Sequence, residues 1–159
     1  MRLFFLLASV AFAQTADALY ADRENLASAR QAAAMLMSET ARDTAAYEPA
    51  WKLARICYWL GSHAPEPERR AFLEQGVSAA QAAARSAPNQ PEGHFWTAAT
   101  MGALAEKYGI RVGLRYRKPI RAELELVLRL DPAFMQGSAD RALGRWYHRV
   151  PGLFGGSRT

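Results

Sequence analysis

An all-α protein, an array of antiparallel helical hairpins winding into an α-α superhelix, is what this sequence predicts. Three observations carry that expectation. Ala and Leu are frequent while β-branched residues are scattered, which favours helix over sheet. Apolar residues recur at three- and four-residue spacing through most of the chain. Prolines at positions 49, 88 and 132 punctuate it at intervals of 39 and 44 residues, as expected of a repeat array. A length of 159 residues and an apolar content of 50% suit one packed domain rather than two or a disordered chain.

The first residues read as an address. Arg2 supplies a positive start, Leu3 to Phe12 a short apolar run, and Ala11-Phe12-Ala13 a small-x-small cleavage site before Gln14. A membrane anchor would need about 20 apolar residues, and polar residues begin at Gln14. The expectation is therefore an exported chain, cleaved near Ala13, whose domain of residues 14–159 keeps no stable membrane anchor. Cys57 is the single cysteine, so no intramolecular disulfide can form, and its setting between Ile56 and Tyr58 predicts a buried thiol.

From Leu19 to Ala46 the spacing of Leu26, Ala29, Ala33, Leu36 and Met37 predicts one amphipathic helix, broken at Tyr47-Glu48-Pro49. Ala50 to Leu60 is apolar almost all round, which predicts a helix between neighbours, with Gly61 as its left-handed terminus. The prolines of Ser62 to Pro67 make the next loop. Glu68 to Ser86 is again helical, and small residues around Gly76 predict close approach of another helix. Helices follow from Glu92 to Lys107 and from Lys118 to Leu130, joined by a basic turn at Tyr108 to Arg117. A last helix spans Gly137 to Val150 and is stopped by Pro151 to Gly156.

The tetratricopeptide signature, W-x2-L-G-x2-Y, can be laid on these hairpins. Leu143-Gly144-Arg145-Trp146-Tyr147 meets its L-G-x2-Y portion, with Asp140 where Trp would stand. Trp51, Ala54 and Tyr58 meet the W and Y positions, with Arg55 replacing the glycine, and Trp96 with Ala99 keeps the start. The chain resembles a divergent tetratricopeptide-like array of two to three hairpins. Aromatic residues at such positions are expected in the core, or on the concave face where arrays hold ligands.

A closer resemblance rests on Gly93-His94-Phe95-Trp96-Thr97-Ala98, Gly102, Leu130-Asp131-Pro132, Ala142-Leu143-Gly144 with Tyr147, Pro151 to Ser157, and Trp51 to Arg55. These residues resemble the T-component family of the tripartite ATP-independent periplasmic (TRAP) transporters. That resemblance implies a periplasmic accessory that binds the transporter's solute-binding protein, and homo-oligomers. It also leads to the expectation of a lipid-attachment cysteine and of a further helix after Gly155-Gly156-Ser157, and this sequence carries neither.

The strongest candidate for binding is the basic stretch. Lys107, Arg111, Arg115, Arg117, Lys118 and Arg121 place six cations within fifteen residues, and Tyr108 and Tyr116 add ring surface. Arginine forks suit carboxylates and phosphates, so an acidic protein partner or a small anionic solute is the expected ligand. The plainer alternative is a solvated turn. An exported protein rarely meets nucleic acid, so none is expected.

His63, His94 and His148 lack the spacing of a zinc site, so no metal or cofactor is expected. The absence of an evident nucleophile, acid or base constellation makes a small hydrolase the weaker alternative. What remains is a non-catalytic scaffold, attached to a transporter or serving as a general adaptor of envelope proteins.

Overall fold

The computed structural model describes residues 14–149, and every regular element among them is a helix. The expected leader at residues 1–13 and the stop from Pro151 onward lie outside this range. Seven helices follow in order: α1 (Ala16–Ala21), α2 (Leu26–Arg42), α3 (Tyr47–His63), α4 (Glu66–Ser86), α5 (Pro91–Lys107), α6 (Ile110–Leu130) and α7 (Ser138–Arg149). Each packs against the next, and α3 also meets α5. This is the arrangement of a helical-repeat array, as the sequence predicts. Among the described residues no helix is long and apolar enough to cross a membrane.

Several boundaries differ from the expectation for local reasons. The stretch expected as one helix from Leu19 is divided, because Asn25 accepts a hydrogen bond from the Ala27 amide and so starts α2 afresh. The short α1 before it is tied to α3. Asp17 accepts from Lys52 Nζ at 2.5 Å and from Arg55 Nη2 at 3.0 Å, and the Arg55 guanidinium lies 3.8 Å over the Tyr20 ring. The hydrogen bond from Lys52 holds the Asp17 carboxyl below its usual range, against the opposing effect of partial burial.

The prolines at 49, 67 and 91 stand inside first turns, where a missing N–H breaks no helical bond. Gly61 does not end α3 in a left-handed turn. It stays helical and buried, because Leu73 of α4 lies directly over it.

The helices α3, α4 and α5 meet closely in the core. A Cβ added at Gly76 would stand 3.0 Å from Thr100 Cγ2 and 3.1 Å from Cys57 Cβ, so the glycine sets how closely these helices approach. Cys57 is fully buried, and burial pushes its thiol up to about 12. The native protein is therefore expected to resist a chromogenic thiol reagent at about pH 8 and to release one thiol per chain in denaturant. Prompt reaction of the native protein would show the packing around Cys57 to be open.

Of the five aromatic residues expected at core positions, Trp96 and Trp146 are buried, while Trp51 and Tyr147 are half-buried. Tyr58 is the exception at 37% exposure.

Candidate functional site

The expected basic turn from Tyr108 to Arg117 is mostly helix. Only Tyr108 and Gly109 separate α5 from α6, with Gly109 at φ 89°, a value that glycine adopts without steric cost. The periodicity of Val112, Tyr116, Ile120, Leu124 and Val127 continues through Pro119, which is why α6 starts at Ile110 and not at Lys118. Pro119 removes the amide that would have bonded the Arg115 carbonyl and its ring crowds that carbonyl, yet the helix runs on through it.

Helical geometry then divides the basic cluster. Ile110, Gly113, Leu114 and Arg117 share one face of α6, whereas Arg111, Arg115 and Lys118 lie about 100° further round. The first face forms one wall of an open groove of about 700 Å³ between α3, α5, α6 and α7. Arg117 and Lys107 line it, and Lys107 Nζ also donates to the Gly61 carbonyl at 2.7 Å. Arg111, Arg115 and Lys118 do not. Arg121 pairs with Glu125 at 2.7 Å and lies near the rings of Tyr147 and Trp146, so it braces α7. Arg70 stands 5.3 Å over Tyr108, and Arg115 stands 5.3 Å over Tyr116.

The groove recruits residues that the basic stretch alone does not reveal. Arg141, Arg145 and Arg149 recur every fourth residue along α7 and line the opposite wall. That spacing was visible in the sequence, but its neighbours Trp146 and Tyr147 draw attention to packing instead. Arg149 pairs with Glu106 at 2.8 Å, and Arg145 makes no ion pair with a described residue. Five cations thus face a single carboxylate around the groove.

Its floor is apolar and unfilled. A Cβ built at Gly102 or Gly113 would meet nothing within 4 Å. Ile110 and Leu114, at 78% and 43% exposed, together with Tyr58, leave large apolar surface facing it. Phe95 and Leu124 are buried beneath, as are Trp96 and Val127 nearby.

The entry to α7 is unusual. Met135, Gln136 and Gly137 run at φ 45°, 58° and 75°, a left-handed turn that costs about 1–2 kcal/mol for each non-glycine residue. Arg141 offsets part of this by donating to the Gln136 carbonyl and, at 2.8 Å, to Ser138 Oγ. Trp146 Nε1 then fixes the helix by donating to the Arg117 carbonyl at 3.0 Å.

His94 lies outside the groove. Its Nδ1 is 2.6 Å from Glu123 Oε2 and its Nε2 is 3.0 Å from the Pro88 carbonyl, so a buried imidazole joins the α4–α5 loop to α5 and α6. Glu68 and Glu106 pair with Arg30 and Arg149. These three groups hold separate structural partners rather than one shared site.

The chain has no match among curated proteins. A family model matches residues 12–153, and its description is Regulator of microtubule dynamics protein 1-3. This overturns the resemblance to the TRAP transporter T-components, and the transporter-accessory role it implied loses its basis. The residues behind that resemblance include Trp96 and Tyr147, which pack in or against the core and are aromatic residues of the kind that helical hairpins of many families use at their contacts. With most of its length matched, the chain belongs to the family described as Regulator of microtubule dynamics protein 1-3.

Proposed function

We propose that this protein is a non-catalytic helical-repeat scaffold that binds an acidic partner protein in the groove between α3, α5, α6 and α7. The observation that carries this is the combination of walls and floor: five cations and one carboxylate surround exposed Ile110, Leu114 and Tyr58. Apolar surface supplies affinity, and the predominantly positive rim selects the partner and speeds encounter. The family description speaks of regulation rather than of a reaction, which supports a binding role. The leader-like residues Arg2 to Ala13 support action in the cell envelope, as a general adaptor rather than as part of a transporter.

The test is crosslinking in the native cells followed by affinity capture, comparing the wild-type chain with Arg145→Glu. A defined set of acidic proteins should be recovered with the wild type and fall at least about tenfold with the variant, with helical content unchanged. Equal recovery with both, or no acidic protein with either, would overturn the proposal.

A further inference from the structure

The groove's geometry also restricts the shape of what occupies it, and this step rests on the proposed binding of an acidic partner. We infer that the occupant is an amphipathic helix, with an apolar stripe on the floor and Asp or Glu residues along the flank facing α7.

The backbone decides first between helix and extended chain. All four walls are helices whose amides and carbonyls are largely engaged internally, and the described residues offer no sheet edge. An extended segment pressed onto this apolar floor would leave its own amides and carbonyls without partners, whereas a helix satisfies them internally.

The floor agrees with that choice. Along α5, Ala98, Ala99, Gly102 and Ala103 present little beyond backbone to the groove. Helix axes approach to about 8 Å, the short end of the usual range, where contact residues are small. The space over Gly102 and Gly113 is empty at the distance where a side chain would begin.

Charge then sets register and sign. Arginines at 141, 145 and 149 repeat at a four-residue step, roughly 6 Å along α7. A parallel or antiparallel helix with acids at the same step would meet them in order. Arg149 already has Glu106 and Arg141 holds the turn before α7, so Arg145 is the principal contact.

Residues 150–159 contain Arg158 and neither Asp nor Glu, and a second copy carries the same excess of positive charge, +5 over the full sequence. A separate partner supplying an acidic, apolar-striped helix fits better than either.

The experiment titrates fluorescent peptides of about four turns into the full chain, read by anisotropy and circular dichroism. One peptide carries Leu at i, i+3 and i+7 with Glu along one flank. A second has the same composition in scrambled order, a third carries Lys for Glu, and anionic phospholipid vesicles form a separate arm. The Leu/Glu peptide should bind at least about tenfold more tightly than the other two and gain helix on binding. Gly102→Trp should remove that binding while keeping the native circular dichroism and thermal midpoint, since its side chain enters open space. Gly102→Ala should retain the binding.

Equal binding of the scrambled peptide would overturn the helix inference while leaving acidic-partner binding intact. Undiminished binding to Gly102→Trp would place the contact outside the groove. Binding to vesicles without binding to the peptide would make the ligand a lipid surface, and self-association abolished by Gly102→Trp would make it a second copy. Either result would overturn both the inference and the acidic-protein reading.

Discussion

Replacing Gly93 by alanine should destabilise the protein by about 3 kcal/mol or more, more than its single added methyl group would suggest. A Cβ at this position would lie 2.5 Å from the Ala84 amide nitrogen and 2.9 Å from the Ala83 carbonyl carbon. Both are backbone atoms, so no side chain can rotate away and α4 and α5 must separate. The gain in helix propensity on removing a glycine, about 1 kcal/mol, is smaller than that cost. The displacement would also pull on His94, the next residue, which joins Pro88 to Glu123. Thermal unfolding should show a midpoint lowered by about 10 °C. An unchanged or raised midpoint would mean that the two helices are not in backbone contact at this point.

The second large effect concerns Gly61 and Leu73, which occupy one space from opposite sides. Leu73 is fully buried, so Leu73→Ala should cost about 2–5 kcal/mol through lost contacts and the cavity left behind. Gly61→Ala should cost about 1–3 kcal/mol, because its Cβ would stand 2.4 Å from Leu73 Cδ2 and Cγ. Together the two should cost less than their sum by about 1 kcal/mol or more, since the new methyl enters volume the leucine has vacated. A double-mutant cycle by urea unfolding measures this directly. Strict additivity would show that the two sites do not share that space.

Leu73 and Gly61 also show which parts of the fold were legible in the sequence. Leu73 was readable as a core residue from helical spacing alone. Gly61 invited a local interpretation, since a glycine after an apolar helix usually marks its end. Its actual role depends on a residue twelve positions away on another helix, and no local pattern encodes that contact. Gly76 differs, because its small neighbours on the same helix signal the close approach that the structure shows there.

A similar distinction applies to the site. The basic residues from Lys107 to Arg121 were evident as a linear cluster, yet helix α6 turns only Arg117 of its own arginines into the groove. Proximity along the chain was a poor guide once the segment was helical, because successive residues there point about 100° apart. Arg145 comes from a helix almost thirty residues later and reaches the same groove only through the turn at Met135 to Gly137. The open floor at Gly102 was not legible at all, because a glycine in a helix looks the same whether it admits a neighbour or faces empty space.

The left-handed turn before α7 has a consequence for how this protein can change over time. The turn is secured by Arg141 of α7 itself, and the helix is fastened by Trp146 and Arg149 rather than inserted among α2 to α5. Substitutions on its outer positions therefore leave the Cys57–Gly76–Thr100 contact untouched. The helix is in effect a replaceable side panel on the chassis formed by α3 to α5, so a different groove wall needs no rebuilding of the part that keeps the chain folded.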